Sequence, residues 1–460
     1  CFVILWYEGK MYGLNASGPA PKSLSVAALK DRGFEKIPSY GVEPIDVPGA
    51  VAGWMTLHER FGKLPLEEVM ALAIRYAEEG YPVTPNISRL WQEAFENYSK
   101  YRDRPEFQGW FDTFAPNNTW LKPGEMFRCP DMAKTLKEIA ATKGESFYRG
   151  AIAEKIDAFF KKHNGFLTKE DLAAFKPEWV DPISVNYHGV DVWELPPNGH
   201  GVTVLMALQI LKDMNLAERD CADTMHKQIE AMKLAMVDTA QYVAEPSYMK
   251  VSVDQLLSEK YAAKRRALIN DQAIMPEPGE PGCPSTVYFC CADGEGNMVS
   301  FIQSNFRGFG SGIVVPGTGI SLNDRAENFK FDENHANALA GGKRPYHTII
   351  PGFLTQDGKP LGPFGIMGGW MQPQAHVQVV MNMIDWHLNP QPRWQWVGGK
   401  KVEVEQETPN YIIRQLQRMG HQIIVQPDPY HMGRGQVILR DENGVLCGAT
   451  EKRTDGQIMS

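Results

Sequence analysis

The stretch Thr286-Val-Tyr-Phe-Cys-Cys-Ala292, Asp293-Gly-Glu-Gly296, Asn297-Met-Val-Ser-Phe-Ile-Gln-Ser304 decides how this chain is to be read. Two β-prone runs flank a turn that contains glycine, which is the pattern of a β-hairpin. Directly before it, the run Met275 to Ser285 holds Pro276, Pro278, Pro281 and Pro284, with Gly279 and Gly282 between them. Neither helix nor sheet tolerates that spacing, so a solvent-exposed linker is expected there, the best boundary in the chain. Thr286 is thus the first residue of a strand that follows a linker. Its hydroxyl is a weak nucleophile unless a base stands beside it. A free α-amine on the same residue, with a pKa of about 7.7–8.0, is such a base. Freeing it requires the Ser285–Thr286 bond to be cut. β-branched residues also start strands for conformational reasons alone. The pattern by itself leaves both readings open.

Working outward, Phe364 to Met367 is β-prone, Gly368-Gly369 follows, and a helix-like run extends from Gln374 to Leu388. Paired glycines at a strand-to-helix turn can aim backbone N–H groups at a developing oxyanion, and they also make plain tight turns. Cys1–Tyr7 and Lys10–Asn15 around Glu8-Gly9 read as a hairpin. So do Gln436–Arg440 and Val445–Ala449 around Asp441 to Gly444. Helical spacing marks Ala133–Thr142, Ala151–Lys162, Ala222–Ala244 and Val253–Ile269. Thr168-x-x-Asp171 reads as a helix cap, and Thr408 as the cap of a helix with Pro409 in its first turn and Gly420 after its end. Hairpins at both ends with helices between them imply strands gathered into sheets with helices packed outside.

Of 460 residues, 43% are hydrophobic and 22% charged, which excludes collagen-like, coiled-coil and disordered classes. A net charge of -8 leaves no basic footprint for nucleic acid. The longest apolar run, Cys1 to Tyr7, is far short of a membrane span. The glycines from Gly308 to Gly319 lack a following Lys-Ser/Thr, so they do not cradle phosphate. The histidines show no ligand spacing. No metal and no cofactor is called for. Seven cysteines, an odd number, include the neighbours Cys290 and Cys291. In a strand these point to opposite faces and cannot share a metal. Free thiols suit a reducing compartment, so a cytoplasmic location is expected. The abrupt start at Cys1 reads as the ordered part of a longer polypeptide, with a segment before it missing.

The run from Thr286 to Phe301, followed by Gly308-Phe-Gly-Ser-Gly-Ile-Val-Val-Pro-Gly-Thr-Gly-Ile320, resembles the start of the small subunit of γ-glutamyltranspeptidases. Leu14-Asn-Ala-Ser-Gly18, Lys343-Arg-Pro345, Met367-Gly-Gly369 and Gly448-Ala-Thr450 resemble that family too, so the likeness spans the chain. It implies an N-terminal-nucleophile hydrolase: an α+β fold, a four-layer αββα sandwich, made as a precursor that cuts itself before the nucleophile. Carried over by position, Thr286 is the nucleophile and Ser285–Thr286 the scissile bond. Ser304 is the second hydroxyl that steadies the nucleophile, and Gly368 and Gly369 are the oxyanion glycines. Residues 1–285 become the large subunit and 286–460 the small one. Both halves are expected to form one αββα unit, with a homodimer of the processed pair as one assembly.

The departures from the family concern the substrate. Ser17 stands where classical members carry a carboxylate-binding Arg. Asn328 stands where an acid holds the α-amine, and Arg325 is beside it. His347 and Thr348 replace two carboxylate-binding serines. An α-ammonium would meet Arg325 and find no acid, whereas a carboxylate without an adjacent amine suits a guanidinium. A surface ion pair of Arg325 with Asp324 or Glu327 is the plainer reading of the same residue. The resemblance is closest to the acylase and amidohydrolase branch, and within it to members that hydrolyse oxamate in purine breakdown. The expected partner is therefore a small-molecule amide such as oxamate. Glutathione hydrolysis or γ-glutamyl transfer, glutaryl (cephalosporin) acylase activity, and an unprocessed binding relative are the alternatives.

Overall fold

The computed structural model describes residues 1–216, 218–276 and 285–459. Most of the Pro/Gly run, 277–284, lies outside the described residues. The strands in chain order are β1 Phe2–Tyr7, β2 Lys10–Asn15, β3 Tyr81–Pro82, β4 Met126–Phe127, β5 Glu178–Val180, β6 Ile183–Tyr187, β7 Val190–Glu194 and β8 Ser285–Ala292. They continue with β9 Met298–Phe306, β10 Gly352–Gln356, β11 Lys359–Met367, β12 Trp394–Gly398, β13 Lys401–Glu405, β14 Gln422–Gln426, β15 Arg434–Arg440 and β16 Leu446–Thr450. The three hairpins read from turn chemistry are present as β1–β2, β8–β9 and β15–β16.

The chain divides into two compact units. One comprises Cys1, Asn15–Glu178 and Ser304–Pro345; the other comprises Phe2–Leu14, Trp179–Gln303 and Tyr346–Ser460. The second unit holds two large sheets, ordered β5-β2-β1-β9-β8 and β16-β15-β11-β10-β7-β6. They face each other across a core of Phe2, Ile4, Tyr288, Met298 and Ile302 from the first, with Phe353 and Met367 from the second. Alternation along β10 shows how one strand serves two layers: Phe353 points into this core, while Leu354 joins the helical side. That side packs Val192, Leu354, Phe364 and Ile366 against the helices Gly201–Leu211, Ala222–Tyr242 and Met371–Ile384. Helix, sheet and sheet are thus stacked within this unit.

The first unit is mainly helical. Its core is aromatic, with Trp91, Tyr98, Phe107, Trp110, Phe111 and Phe114 packed together. The glycine-rich run passes through the same core by way of Ile313, Val314 and Val315, so it serves packing.

Three local expectations need correction. Val253–Ile269 is two helices, Val253–Leu256 and Glu259–Arg266, because Ser258 caps a new start by accepting the Tyr261 N–H at 3.3 Å. Pro409, not Thr408, is the N-cap of the helix Asn410–Arg418. Thr408 sits in the preceding turn, its N–H bonded to Glu405 O at 3.0 Å. The helix after the paired glycines starts earlier and ends earlier than the apolar run implies, at Met371–Ile384.

Candidate active site

Thr286 is the second residue of β8, at the edge of the five-stranded sheet, and it is buried. Two residues on, Tyr288 points into the core between the sheets. Its Oη shares a hydrogen bond of 2.9 Å with Ser300 Oγ on β9, which lies 3.4 Å from Phe364 O on β11. A Cβ at Gly365 would come within 2.2 Å of the Tyr288 ring. Only a glycine lets β11 lie this close, and it brings the end of β11 alongside the start of β8.

β11 ends at Met367, and the turn that follows has Gly368 at φ +147° and Gly369 at φ +54°, conformations that L side chains avoid. The helix Met371–Ile384 begins at once, with Met371 N–H and Gln372 N–H bonded to the carbonyls of Gly368 and Gly369 at 3.0 and 2.9 Å. The positive end of that helix dipole is therefore at the turn. Gly433 packs on Gly368, where a Cβ would meet Gly433 Cα at 3.3 Å. Arg453, ion-paired with Glu405, supports this loop by donating to Met432 O and Gly433 O at 3.2 and 3.1 Å. His347 and Thr348 are buried in the segment bound to the same helix start, since Ile350 N–H donates to Gln372 Oε1 at 2.9 Å. His347 N–H donates to Asn198 O at 2.9 Å, and its ring lies 4.9 Å from Phe2.

The other sequence candidates belong to the first unit. Ser304 Oγ accepts the Phe306 N–H at 2.9 Å. Ser17 is buried, its Oγ donating to Asn15 Oδ1 at 2.7 Å. Asn328 is half-buried, its Nδ2 donating to Arg325 O at 3.2 Å.

Arg325 is only 2% exposed, so it is not the surface ion pair that a loop arginine suggests. Glu327, the expected partner, is taken by Arg307 at 2.6 Å. Asn323 ties Arg325 to Asp46: its Oδ1 accepts from Arg325 N at 3.0 Å and Asp46 N at 3.4 Å, and its Nδ2 donates to Asp46 O at 3.1 Å. Of the two acids that the sequence places beside Arg325, Asp324 is buried with it, and the structure adds a second from far along the chain, Asp46, also buried; both act on Arg325 electrostatically. Burial pushes Asp324 up to about 8, helped by Glu327 and opposed by Arg307 and Arg325. Burial likewise carries Asp46 well above the usual carboxylate range, against the pull of Arg325 and Asn323. Burial lowers Arg325 to about 10, where it is still a cation at neutral pH. A lone acid within the apolar run Ile45-Asp46-Val47 was the available signal for Asp46, and it was missed.

One His/Glu group was also missed. His226, Glu230 and His421 converge in the second unit, all buried. His226 Nδ1 meets His421 Nε2 at 2.7 Å, and its Nε2 bonds Asn270 O at 2.6 Å. Glu230 receives the buried Lys233 ammonium at 2.7 Å and the Ile274 N–H at 3.0 Å. A cation already satisfies Glu230, so the donor set does not fit a metal. The group clamps the segment 270–274 instead.

Residues 1–460 match the gamma-glutamyltranspeptidase family. The chain is 32% identical over 457 residues to the glutathione hydrolase-like YwrD proenzyme of Bacillus subtilis, covering 96% of this chain and 85% of that one. It is 31% identical over 466 residues to the oxamate amidohydrolase proenzyme of Klebsiella pneumoniae, covering 98% and 87%. The structure is similar to that of cephalosporin acylase from Bacillus halodurans, with a TM-score of 0.96 and 56% identity over 99% of this chain and 86% of that one. With two facing sheets, a Gly-Gly turn at a helix start and a match over its whole length, the chain belongs to the gamma-glutamyltranspeptidase family of N-terminal-nucleophile hydrolases and is an enzyme of that amidohydrolase type.

Proposed function

We propose that the chain is a self-processing threonine amidohydrolase that cleaves a small carboxylate-bearing amide of the oxamate type. Thr286 Oγ attacks the carbonyl of Ser285, the Ser285–Thr286 C–N bond breaks to free the Thr286 α-amine and leave an ester, and water hydrolyses that ester to release the Ser285 carboxylate and restore the Thr286 hydroxyl. Residues 1–285 and 286–460 become the two subunits. In turnover the α-amine takes the hydroxyl proton as Oγ attacks the amide carbon. The N–H groups of Gly368 and Gly369 receive the oxyanion, and Ser304 steadies the nucleophile. The C–N bond breaks, ammonia or an amine leaves with that proton, and water hydrolyses the acyl-Thr ester. Arg325 holds the substrate carboxylate, with Asn328, His347 and Thr348 as further polar contacts.

The observation that carries this reading is the buried, cationic Arg325, close to Asn328 at the position where the family resemblance implies an acid for an α-amine. Burial raises both Asp46 and Asp324 above the usual carboxylate range, which biases them towards the neutral form beside Arg325. The test is ammonia release from oxamate against turnover of γ-glutamyl-p-nitroanilide. Oxamate is expected to be the better substrate, and the reverse result restores glutathione-type hydrolysis. A second reading, a glutaryl-type acylase, is favoured by the 56% identity to a cephalosporin acylase. Its substrate also has an acyl carboxylate without an α-amine, and glutaryl-p-nitroanilide distinguishes the two by acyl length. Thr286→Ala is expected to give a single band of full mass on a denaturing gel, with no activity. Normal cleavage in that variant would remove Thr286 from the role.

A further inference from the structure

We infer that Phe306 is a positioning residue that sets the preference for acidic amides by holding the Arg325 guanidinium, an inference that rests on the role proposed above for Arg325. Phe306 ends β9 with φ +81°, a backbone region that bulky side chains avoid. Such a conformation persists where the surroundings over-determine it, and it concentrates at functional sites. Here the determination is complete on both flanks. Asp324 N–H donates to Asn305 O at 3.1 Å, Arg307 N–H donates to Asp324 Oδ1 at 3.2 Å, and Phe306 N–H itself donates to Ser304 Oγ at 2.9 Å.

These contacts hold the buried Phe306 ring beneath a charge. The Arg325 guanidinium lies 5.0 Å from the ring centroid. Arg307 lies over the same ring at 5.5 Å, but its charge goes to Glu327 at 2.6 Å. Cation–π attraction to the ring restrains the position of the guanidinium, and a guanidinium held in place can grip a carboxylate bidentately through its fork of N–H groups. The ring acts against the pull of two buried carboxyls, Asp46 and Asp324, which already act on Arg325 electrostatically. The strained residue therefore links the Ser304 hydroxyl, at one end of its contacts, to the charge that selects the substrate, at the other.

The test compares kcat/KM on oxamate with kcat/KM on oxamide, its uncharged counterpart, in Phe306→Leu, Phe306→Gly and Phe306→Tyr. Leucine keeps apolar bulk without a π-face. Glycine removes the ring and relieves the backbone, so it carries the test if the leucine variant fails to fold. The oxamate-over-oxamide ratio is expected to fall about tenfold in Leu and Gly, chiefly through KM for oxamate, and to hold in Tyr, a change of that size being a typical effect of one cation–π and charge-assisted contact. An unchanged ratio in Leu and Gly, an equal loss on both substrates, or the same fall in Tyr would overturn the inference. If Arg325→Ala leaves the ratio unchanged, the reading of Arg325 fails as well. If Arg325→Ala lowers it and the Phe306 variants do not, only the inference about Phe306 fails.

Discussion

Arg325 keeps its charge in a place where charge is hard to keep, with burial pulling it towards neutrality and two carboxyls pulling back. On the proposed role, Arg325→Ala removes a charge-assisted contact of roughly 1.5–3 kcal/mol, so KM for an acidic amide should rise about ten- to a hundredfold. Denaturing gels of the same variant should still show processing. pH acts on the same pair. Below about 8 protonation of Asp324 weakens its competition with a substrate carboxylate for the guanidinium. Above that, ionised Asp324 competes for it, while Arg307, 3.7 Å from the same carboxyl, and Glu327 also act on it. KM for oxamate should therefore rise through the alkaline range while KM for oxamide stays level, as parallel pH profiles would show. The raised value also means that Asp324 favours the folded state most in acid, a contribution lost as pH climbs towards about 8. The sequence pointed to Arg325 and its neighbour Asp324, but not to their burial or to Asp46. Asp46 and Arg325 are far apart along the chain, and a hydrophobic pattern does not say which acid comes to lie near which base.

At the scale of elements, turn chemistry was the reliable guide. Glu8-Gly9, the Asp293–Gly296 turn and Asp441–Gly444 each marked a hairpin that the structure contains. Gly368-Gly369 marked a strand-to-helix turn for a local reason, since both residues occupy positive φ. A Cβ at Gly368 would be strained at φ +147° and would press on Gly433 and Met371 at 3.3 Å. Gly368→Ala should thus disturb the N–H pair, and turnover should fall by about 10²–10³, the typical loss for one oxyanion donor. Steady-state kinetics on the processed fraction checks this, and full activity would remove the turn from catalysis. Helix ends were less legible. The periodicity of Val253–Ile269 runs on through Ser258, and only the cap bond to Tyr261 shows that the helix restarts. His226 and Glu230 are one helical turn apart, but their partner His421 is 195 residues from His226. Spacing in sequence could not reveal that group.

Across the whole molecule, the boundary that stands out in sequence is not the boundary of the compact units. The Pro/Gly run ends at Ser285, yet each unit gathers chain from both sides of it. The large sheets do the same. In one, β1 pairs with β9 from Phe2↔Ile302 to Trp6↔Met298; in the other, β7 pairs with β10 from Trp193↔Phe353 to Asp191↔Thr355. A cut before Thr286 would assign β1 and β7 to one product and β9 and β10 to the other, so the seam between products would run through a hydrogen-bonded ladder in each sheet and through the core between them. Two polypeptides joined in this way have no dissociation constant separate from their folding equilibrium, and dilution alone gives them no route apart. Isotope-labelled 286–460, mixed as processed enzyme with unlabelled enzyme, should stay with its original partner under native conditions and exchange only at denaturant concentrations that melt the sheets. Native mass spectrometry of the mixture would show this, and mixed species in plain buffer would mean that the ladders open without unfolding.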